Sequence, residues 1–441
     1  MFNKPFLTRR AMLAGFGAGF GSLGLRAMQA PPPHHAAKAK RLVFIFLNGG
    51  ASQVDTFDPK PMLSKYHGKA LPNANLKTER RTGSALGSPF SFKPYGRGGT
   101  EVSEIFSELG SVIDEFCVIR SMHTERPNHE PSLFMLNTGH GLAGRPSMGS
   151  WLTYGLGVEN RNLPGFMVLC PGVPVIGPQL WSSTFLPAEY QGVHVPNNEK
   201  EIEKLIPYVR PARPLADQRK QIELLTKLHA GDSSIKSMET AFRMQTEAPA
   251  VLDVTKVSEE DRKRYPDTDF GRGCLMARRL LEKGVRMVQI YYGNGQPWDS
   301  HDDIMRHKKL AADADPAIAT LVRDLKTNGL LQETVFVISG EFGRTPTVET
   351  SGLVNVQYGR DHNNHGFSLL IGGAGIQGGT TYGHTDEFGF QAVDKPVHPH
   401  DIQATILHLM GLDHTRLTYR YSGRDFRLTD VAGNVLHGIL S

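Results

Sequence analysis

Short, uninterrupted apolar runs set between amphipathic segments constrain this chain more than any other feature. Residues 41–47 (Arg41-Leu42-Val43-Phe44-Ile45-Phe46-Leu47) lead through Asn48 into Gly49-Gly50, and residues 285–292, 334–339 and 367–371 have the same character. A strand with no polar alternation must be covered on both faces, as inside a parallel sheet flanked by helices. Helix-favouring stretches separate the runs: 269–283 stopped by Gly284, 302–328 broken at Pro316, and 401–410. Residues 101–116 place Ile105, Leu109, Val112, Ile113 and Phe116 on one helical face, ahead of a short strand at 117–120. Residues 71–100 read as a polar surface excursion and 199–246 as a helical insertion. The expected fold class is therefore α/β, with a mainly parallel central sheet and helices on both faces.

Composition supports a folded enzyme-sized body and points to export. With 441 residues, 39% hydrophobic and 21% charged, the chain can bury a large core and is not intrinsically disordered. Arg9-Arg10 stands directly before a Gly- and Ala-rich, weakly apolar stretch that ends in small residues near Ala30, the layout of a twin-arginine export signal. That segment carries Lys4, Arg9, Arg10 and Arg26 and no acid, so removing its four positive charges lowers the net charge from +5 to +1. A nearly neutral mature protein offers no electrostatic case for nucleic acid. No apolar run reaches the roughly 18 residues of a membrane span. The expected organisation is a signal at 1–30, a Pro-rich linker at 31–40 and one domain at 41–441, located in the periplasm or outside the cell, with the twin-arginine machinery as a partner. Cys117, Cys170 and Cys274 are too few for a disulfide framework and read as small buried hydrophobes.

In open α/β sheets, ligands collect outside the carboxyl ends of the strands. Here those ends carry acids and histidines. The run at 285–292 leads to Trp298-Asp299-Ser300-His301, the run at 334–339 to Gly340-Glu341-Phe342-Gly343-Arg344, and Asp361, His362 and His365 precede the run at 367. Asp299, His301, Glu341, Asp361, His362 and His365 form a mixed nitrogen and oxygen set that suits zinc, with manganese or iron as alternatives, better than calcium. Glu341 against Arg344 reads either as a plain salt bridge or as an acid beside an anion-gripping guanidinium. His129 reads as ligand, base or nucleophile, or as part of an ordinary polar loop. Ser52 sits where backbone N–H groups could cradle an oxyanion, outside any Gly-x-Ser-x-Gly elbow.

Ordered motifs over about residues 41–415 resemble the bacterial family called domain of unknown function 1501. They are Gly-Gly-Ala-Ser-Gln-Val-Asp (49–55), Arg-Gly-Cys-Leu-Met-Ala-Arg-Arg-Leu (272–280), Trp-Asp-Ser-His (298–301), Gly-Glu-Phe-Gly-Arg-Thr-Pro (340–346) and Gly-Arg-Asp-His (359–362). The resemblance implies an alkaline-phosphatase-like core, export and a sulfatase-type label. Superfamily hydrolases hold two metals. Carried over, the pattern puts Asn48 where a ligand Asp is expected, Asp299 and His301 on one metal with His362, and Phe342 where a second His is expected. Counting back from Thr138-Gly139 places His129 at the nucleophile position, with Ser132 the nearest hydroxyl. The sulfatase signature Cys/Ser-x-Pro-x-Arg is missing, so phosphate esters are favoured over sulfate esters. The expected function is an exported, metal-dependent hydrolase of a small-molecule or polysaccharide ester. The alternative is a non-catalytic binding protein that keeps the fold with a degenerate metal site.

Changing Arg9 and Arg10 together to Lys should leave the full-length precursor inside the cell, followed by fractionation and immunoblotting. Normal export of the double variant would remove the twin-arginine assignment.

Overall fold

The computed structural model describes residues 33–72, 77–211, 213–229, 232–350 and 358–441, so the expected signal at 1–30 lies outside the described residues. The strands that matter for the site are β1 (Arg41–Phe46), β2 (Thr82–Ala85), β3 (Phe116–Met122), β4 (Phe166–Leu169), β5 (Val193–Val195), β6 (Met287–Tyr291), β7 (Thr334–Ser339), β8 (Gly343–Glu349), β9 (Arg360–Asn363), β10 (Phe367–Gly373) and β11 (Thr380–Tyr382). The central sheet has eight strands in the order β11-β3-β10-β7-β1-β6-β4-β5. All run the same way except β10, which is antiparallel to β3 and β7. The α/β class and the mainly parallel sheet are thus as expected.

Why the runs are continuously apolar is visible in β1. Val43 and Ile45 enter one core cluster, with Leu47 just beyond the strand, while Leu42, Phe44 and Phe46 enter another on the opposite face. Helices α1 (Gln53–Thr56), α2 (His129–Thr138), α3 (Met148–Leu156), α4 (Leu215–Leu228), α5 (Ser233–Leu252), α6 (Asp269–Glu282), α7 (Arg306–Thr327) and α8 (Pro399–Leu409) include the layers responsible. Cys274, Leu281, Ile318 and Leu321 of α6 and α7 close the first face. Leu133, Trp151 and Ile406 of α2, α3 and α8 close the second. The three cysteines are free and buried.

Several local expectations are corrected. Residues 101–116 are not one helix: Thr100–Ser103 pairs with Phe92–Tyr95, and only short turns follow, at Glu104–Phe106, Ile113–Glu115 and, between them, Ser107–Gly110. The buried Asp315 carboxylate fixes that turn by accepting the backbone N–H groups of Glu108 (2.8 Å) and Leu109 (2.6 Å). α7 runs through Pro316 without a break, because the buried Ala314, Ala317 and Ile318 anchor it on both sides of the missing hydrogen bond. The helical insertion extends to Leu252 as α4 and α5, and α4 buries none of its side chains. Residues 33–40, expected as a linker, are fastened to the fold: His34 and His35 donate to Gly411 O, and Lys38 and Ala39 to Leu409 O.

A second, three-stranded sheet (β9-β8-β2) stands at the carboxyl edge of the first. A fully buried ion pair ties it down. Arg360 Nε donates to Asp55 Oδ2 (2.7 Å) and its terminal nitrogen to Oδ1 (3.1 Å), while further donors reach Leu86 O and Thr345 O. Burial pushes the Asp55 carboxyl up, but Arg360 and Ser52 outweigh it and hold it below the ordinary carboxylate value. A carboxyl depressed in the folded state contributes stability above its unfolded pKa and loses that contribution as pH falls through the folded one. Arg360→Met leaves Asp55 buried and uncompensated, and should cost about 3–5 kcal/mol in denaturant unfolding. The deficit should shrink as pH falls through the acid range. A variant as stable as wild type at pH 7 would contradict this role.

Candidate metal centre

Every loop that builds the centre leaves the same edge of the central sheet. Asp299 and His301 follow β6, Glu341 and Arg344 follow β7, and His129 opens α2 in the connection after β3. His362 lies in β9, opposite Arg344 of β8. β10 reverses direction, so the segment preceding it arrives at the edge where the parallel strands end. The loop after β1 passes so close that a Cβ on Gly49 (φ +113°) would sit 2.5 Å from the Asp299 nitrogen.

Three imidazoles converge on one carboxylate. His301 Nε2 lies 2.9 Å and His362 Nε2 3.2 Å from Asp299 Oδ1, and His129 Nε2 lies 3.4 Å from Asp299 Oδ2. One ligand atom from each of the four residues falls within 4.8 Å of all the others. Each ring turns its other nitrogen to a different acid: His129 Nδ1 to Glu341 (2.6 Å), His362 Nδ1 to Glu79 (2.6 Å), and His301 Nδ1 to Glu349. An ionised carboxylate only accepts, so Nδ1 carries the proton and Nε2 of a neutral ring presents a lone pair. His301 Nε2 and His362 Nε2 stand 2.9 Å apart, and His129 Nε2 is buried without a hydrogen-bond partner. Acceptors facing acceptors require positive charge between them, supplied by protons or by a metal ion. Carboxylate–histidine pairing of this kind fixes tautomer and orientation in metal sites.

The electrostatics agree. Burial raises the Asp299 carboxyl, yet His129, His301, His362 and Arg344 together hold it far below the ordinary range. Burial lowers the His129 imidazole, but Asp299 and Glu341 outweigh it and raise it. The hydrogen bond from His362 is the largest influence on Glu79 and lowers it. Phe342 packs against the rings of His129 and His362, with centroids 4.8 and 4.6 Å away, and forms an apolar wall.

The structure therefore brings together Asp299, His301 and His362 with His129, which the sequence leaves open as ligand, base or nucleophile and the family resemblance puts at the nucleophile position. Glu341 is corrected from ligand to partner of His129: wholly buried, it also accepts the Gly49 N–H at 2.9 and 3.1 Å. Arg344 is corrected as well. Its buried guanidinium donates to Gly49 O, Gly50 O, Arg360 O and Asp299 Oδ1 (2.5 Å), so it clamps Asp299 instead of gripping a substrate anion. Ser52 is buried with its hydroxyl on Asp55 Oδ2 (2.5 Å) and cannot serve as an oxyanion or nucleophile site. Asp361 is not part of the four-residue group: it stands near Glu79 and His362 and near His301 and Glu349, and its Oδ2 accepts the Arg80 backbone N–H at 2.6 Å. His365 packs its ring against Phe390 (5.1 Å) and belongs to none of the ligand groups among the described residues. Asn48 donates to Gly293 O (2.9 Å) and Gly295 O (2.6 Å), which ties two loops together. Glu79 and Glu349 escaped sequence reasoning. Glu79 lies in the supposed surface excursion, and Glu349 closes a strand where only the cost of burying an acid could have drawn notice.

These features define an α/β protein with a His₃Asp centre at the carboxyl edge of its sheet. A family model described as protein of unknown function (DUF1501) matches residues 39–440, and the chain belongs to that family. No curated protein matches the chain. Among solved structures it is similar to a sulfatase from Pseudoalteromonas sp. (13% identity, 90% of this chain and 71% of that one, TM-score 0.35). It is also similar to a protein in the alkaline phosphatase superfamily from Vibrio parahaemolyticus (12%, 87% and 69%, TM-score 0.38). A phosphonate monoester hydrolase from Silicibacter pomeroyi is a third (11%, 69% and 68%, TM-score 0.30). At such scores the functional reading rests on the side chains themselves.

Glu341→Gln keeps the shape of the His129 partner and removes its charge. It should weaken divalent-metal binding by about 10–100-fold, as loss of an outer-shell carboxylate does, measured by competition with a chromophoric chelator. Unchanged affinity would separate Glu341 from the centre.

Proposed function

We propose that this protein is an exported, metal-dependent hydrolase of phosphate or sulfate esters, with phosphate favoured. The observation that carries the reading is the meeting of three imidazole Nε2 atoms at the Asp299 carboxylate, those of His301 and His362 at 2.9 and 3.2 Å from Oδ1 and that of His129 at 3.4 Å from Oδ2. Three nitrogens and one carboxylate oxygen fit zinc, with manganese or iron as alternatives. His129, Asp299, His301 and His362 would hold the ion. When bound, such an ion supplies Lewis-acid polarisation and positive charge where an ester anion must be neutralised.

The chain's own residues do the rest. Glu341, Glu349 and Glu79 keep the Nδ1 protons in place and so keep each Nε2 available. Arg344 orients Asp299 and favours its ionised form. Phe342 keeps water off one side of the imidazoles. Ser132 Oγ donates to Arg126 O (2.7 Å) and Ser52 is engaged by Asp55, so neither hydroxyl is offered to an ester. Attack then falls to water, with His129 as a ligand and not as a nucleophile. A cavity of about 1110 Å³ is lined by Arg126, Asn128, Glu130 and Phe134, chain neighbours of His129, but by none of the four residues of the centre. The absence of the sulfatase signature favours phosphate.

One observation favours a second reading, a binding protein without turnover. Asn48 and Phe342, where the family resemblance implies ligands, are committed to loop carbonyls and to ring packing. Export rests on Arg9-Arg10. No helix of the described residues is long and apolar enough to cross a membrane.

The zinc-loaded protein should hydrolyse p-nitrophenyl phosphate faster than the sulfate, and chelation should abolish the reaction. His129→Ala should lower kcat/KM by at least about 100-fold, as removal of a group that stabilises the transition state does. Rapid acid quench with labelled phosphate ester should leave no acid-labile phosphate on the wild-type chain. Turnover indifferent to chelation would refute the metal centre's role, and trapped phosphohistidine would return His129 to the nucleophile position. A metal-loaded protein inert towards both esters would favour the binding reading.

A further inference from the structure

One buried histidine has no part in the hydrolytic reading. His307, in the first turn of α7, is wholly enclosed, and Trp298 meets its ring edge-on with centroids 5.0 Å apart. Its Nε2 accepts the Ser52 N–H at 3.1 Å, and its Nδ1 lies 3.2 Å from Ser300 Oγ. A backbone N–H only donates, so Nε2 carries no proton. Nδ1 therefore holds the proton and donates it to Ser300 Oγ. Burial, with Arg344, Arg360 and Arg306 around the ring, outweighs Asp55 and lowers the imidazole to about 3, so the ring is neutral at pH 7. Ser300 is equally buried and stands between two of the four inner groups, Asp299 and His301. Its carbonyl oxygen accepts the Arg360 N–H at 3.1 Å.

These contacts close a ring. The Arg360 guanidinium donates to Asp55, Ser52 Oγ donates to Asp55 Oδ2, and the Ser52 N–H donates to His307. His307 donates to Ser300, and Ser300 accepts from the Arg360 backbone. The ring joins the loop after β1, the loop after β6, α7 and β9. His362 stands two residues beyond Arg360, so the ring sets the spacing between ligands carried by two separate elements. A neutral imidazole suits this joint because it accepts at one nitrogen while it donates at the other, and a fully satisfied buried network is rigid. We propose that His307 is a positioning residue of the metal centre, holding Ser300 so that Asp299 and His301 face His362, a role that rests on the metal-binding reading above.

Zinc affinity of the mature protein, measured by competition with a chromophoric chelator, tests the role. Ser300→Ala and His307→Leu should each weaken binding by about 10-fold or more, as loss of an outer-shell partner does. The double variant should stay within about twofold of His307→Leu, because both changes remove one bond; effects that multiply would overturn the proposal. His307→Asn puts an amide N–H near the Nδ1 position and should hold affinity within about twofold of wild type. His307→Gln reaches Ser52 instead and should not, so the reverse order of these two also overturns it. The wild type supplies a readout that needs neither metal nor a variant that folds. With isotope-labelled histidine, NMR of the metal-free protein at pH 7 should show His307 neutral with its proton on Nδ1. A proton on Nε2, or a charged ring, contradicts the assignment. A wild type that takes up no zinc refutes the centre itself. The positioning is then judged on metal-free His301, whose ring signals should move in Ser300→Ala and stay in place in His307→Asn; signals unmoved by Ser300→Ala overturn it.

Discussion

Lone pairs of three imidazoles and the oxygens of one carboxylate point into the same small space, and the surrounding structure holds them there. Nothing in the chemistry of neutral histidine and ionised aspartate favours that arrangement without positive charge. The chain sustains it by giving each ring an acid at Nδ1 and by fixing Asp299 with Arg344. Removing any one of those acids frees a ring to turn and take its proton to the other nitrogen. The centre is thus a layered object, with four inner groups dependent on three outer acids and one guanidinium.

Its framework is equally charged and equally buried. Arg344 and Arg360 are both fully enclosed and spend their donors on carbonyls as well as on Asp299 and Asp55. Together they staple the second sheet to the loop after β1, so His362 on β9 is placed by hydrogen bonds and not by apolar packing alone. This division explains why the central sheet reads as hydrophobic and its carboxyl edge as polar. Apolar burial builds the platform without directional preference, and directional charge-assisted hydrogen bonds aim the side chains.

Much of the platform was legible because both faces of β1, β6 and β7 are covered, and such strands write themselves as unbroken apolar runs. Asp299, His301 and His362 were legible for a related reason, since a polar cluster directly beside buried strands needs a purpose. The order of the layers was not legible. Sequence proximity to a strand end cannot tell an inner ligand from an acid one imidazole behind it, which is the difference between Asp299 and Glu341. Nor can it tell a free guanidinium from one saturated by carbonyls, as Arg344 is. Glu79 was hidden because its segment has no periodicity of its own and is ordered by the sheet it joins. His365 and Ser52 had suggestive neighbours, yet local hydrogen bonds and ring packing absorb them. The supposed helix at 101–116 failed because strand pairing with Phe92–Tyr95 and the Asp315 carboxylate outweigh a helical pattern of apolar residues.

X-ray absorption at the zinc edge of the reconstituted protein bears most directly on the His₃Asp centre. It should show three imidazole nitrogens and a carboxylate oxygen at about 2.0–2.2 Å, with one imidazole lost in each of His129→Ala, His301→Ala and His362→Ala. A sulfur-containing or oxygen-only shell, or a spectrum unchanged by those three substitutions, would contradict the centre described above.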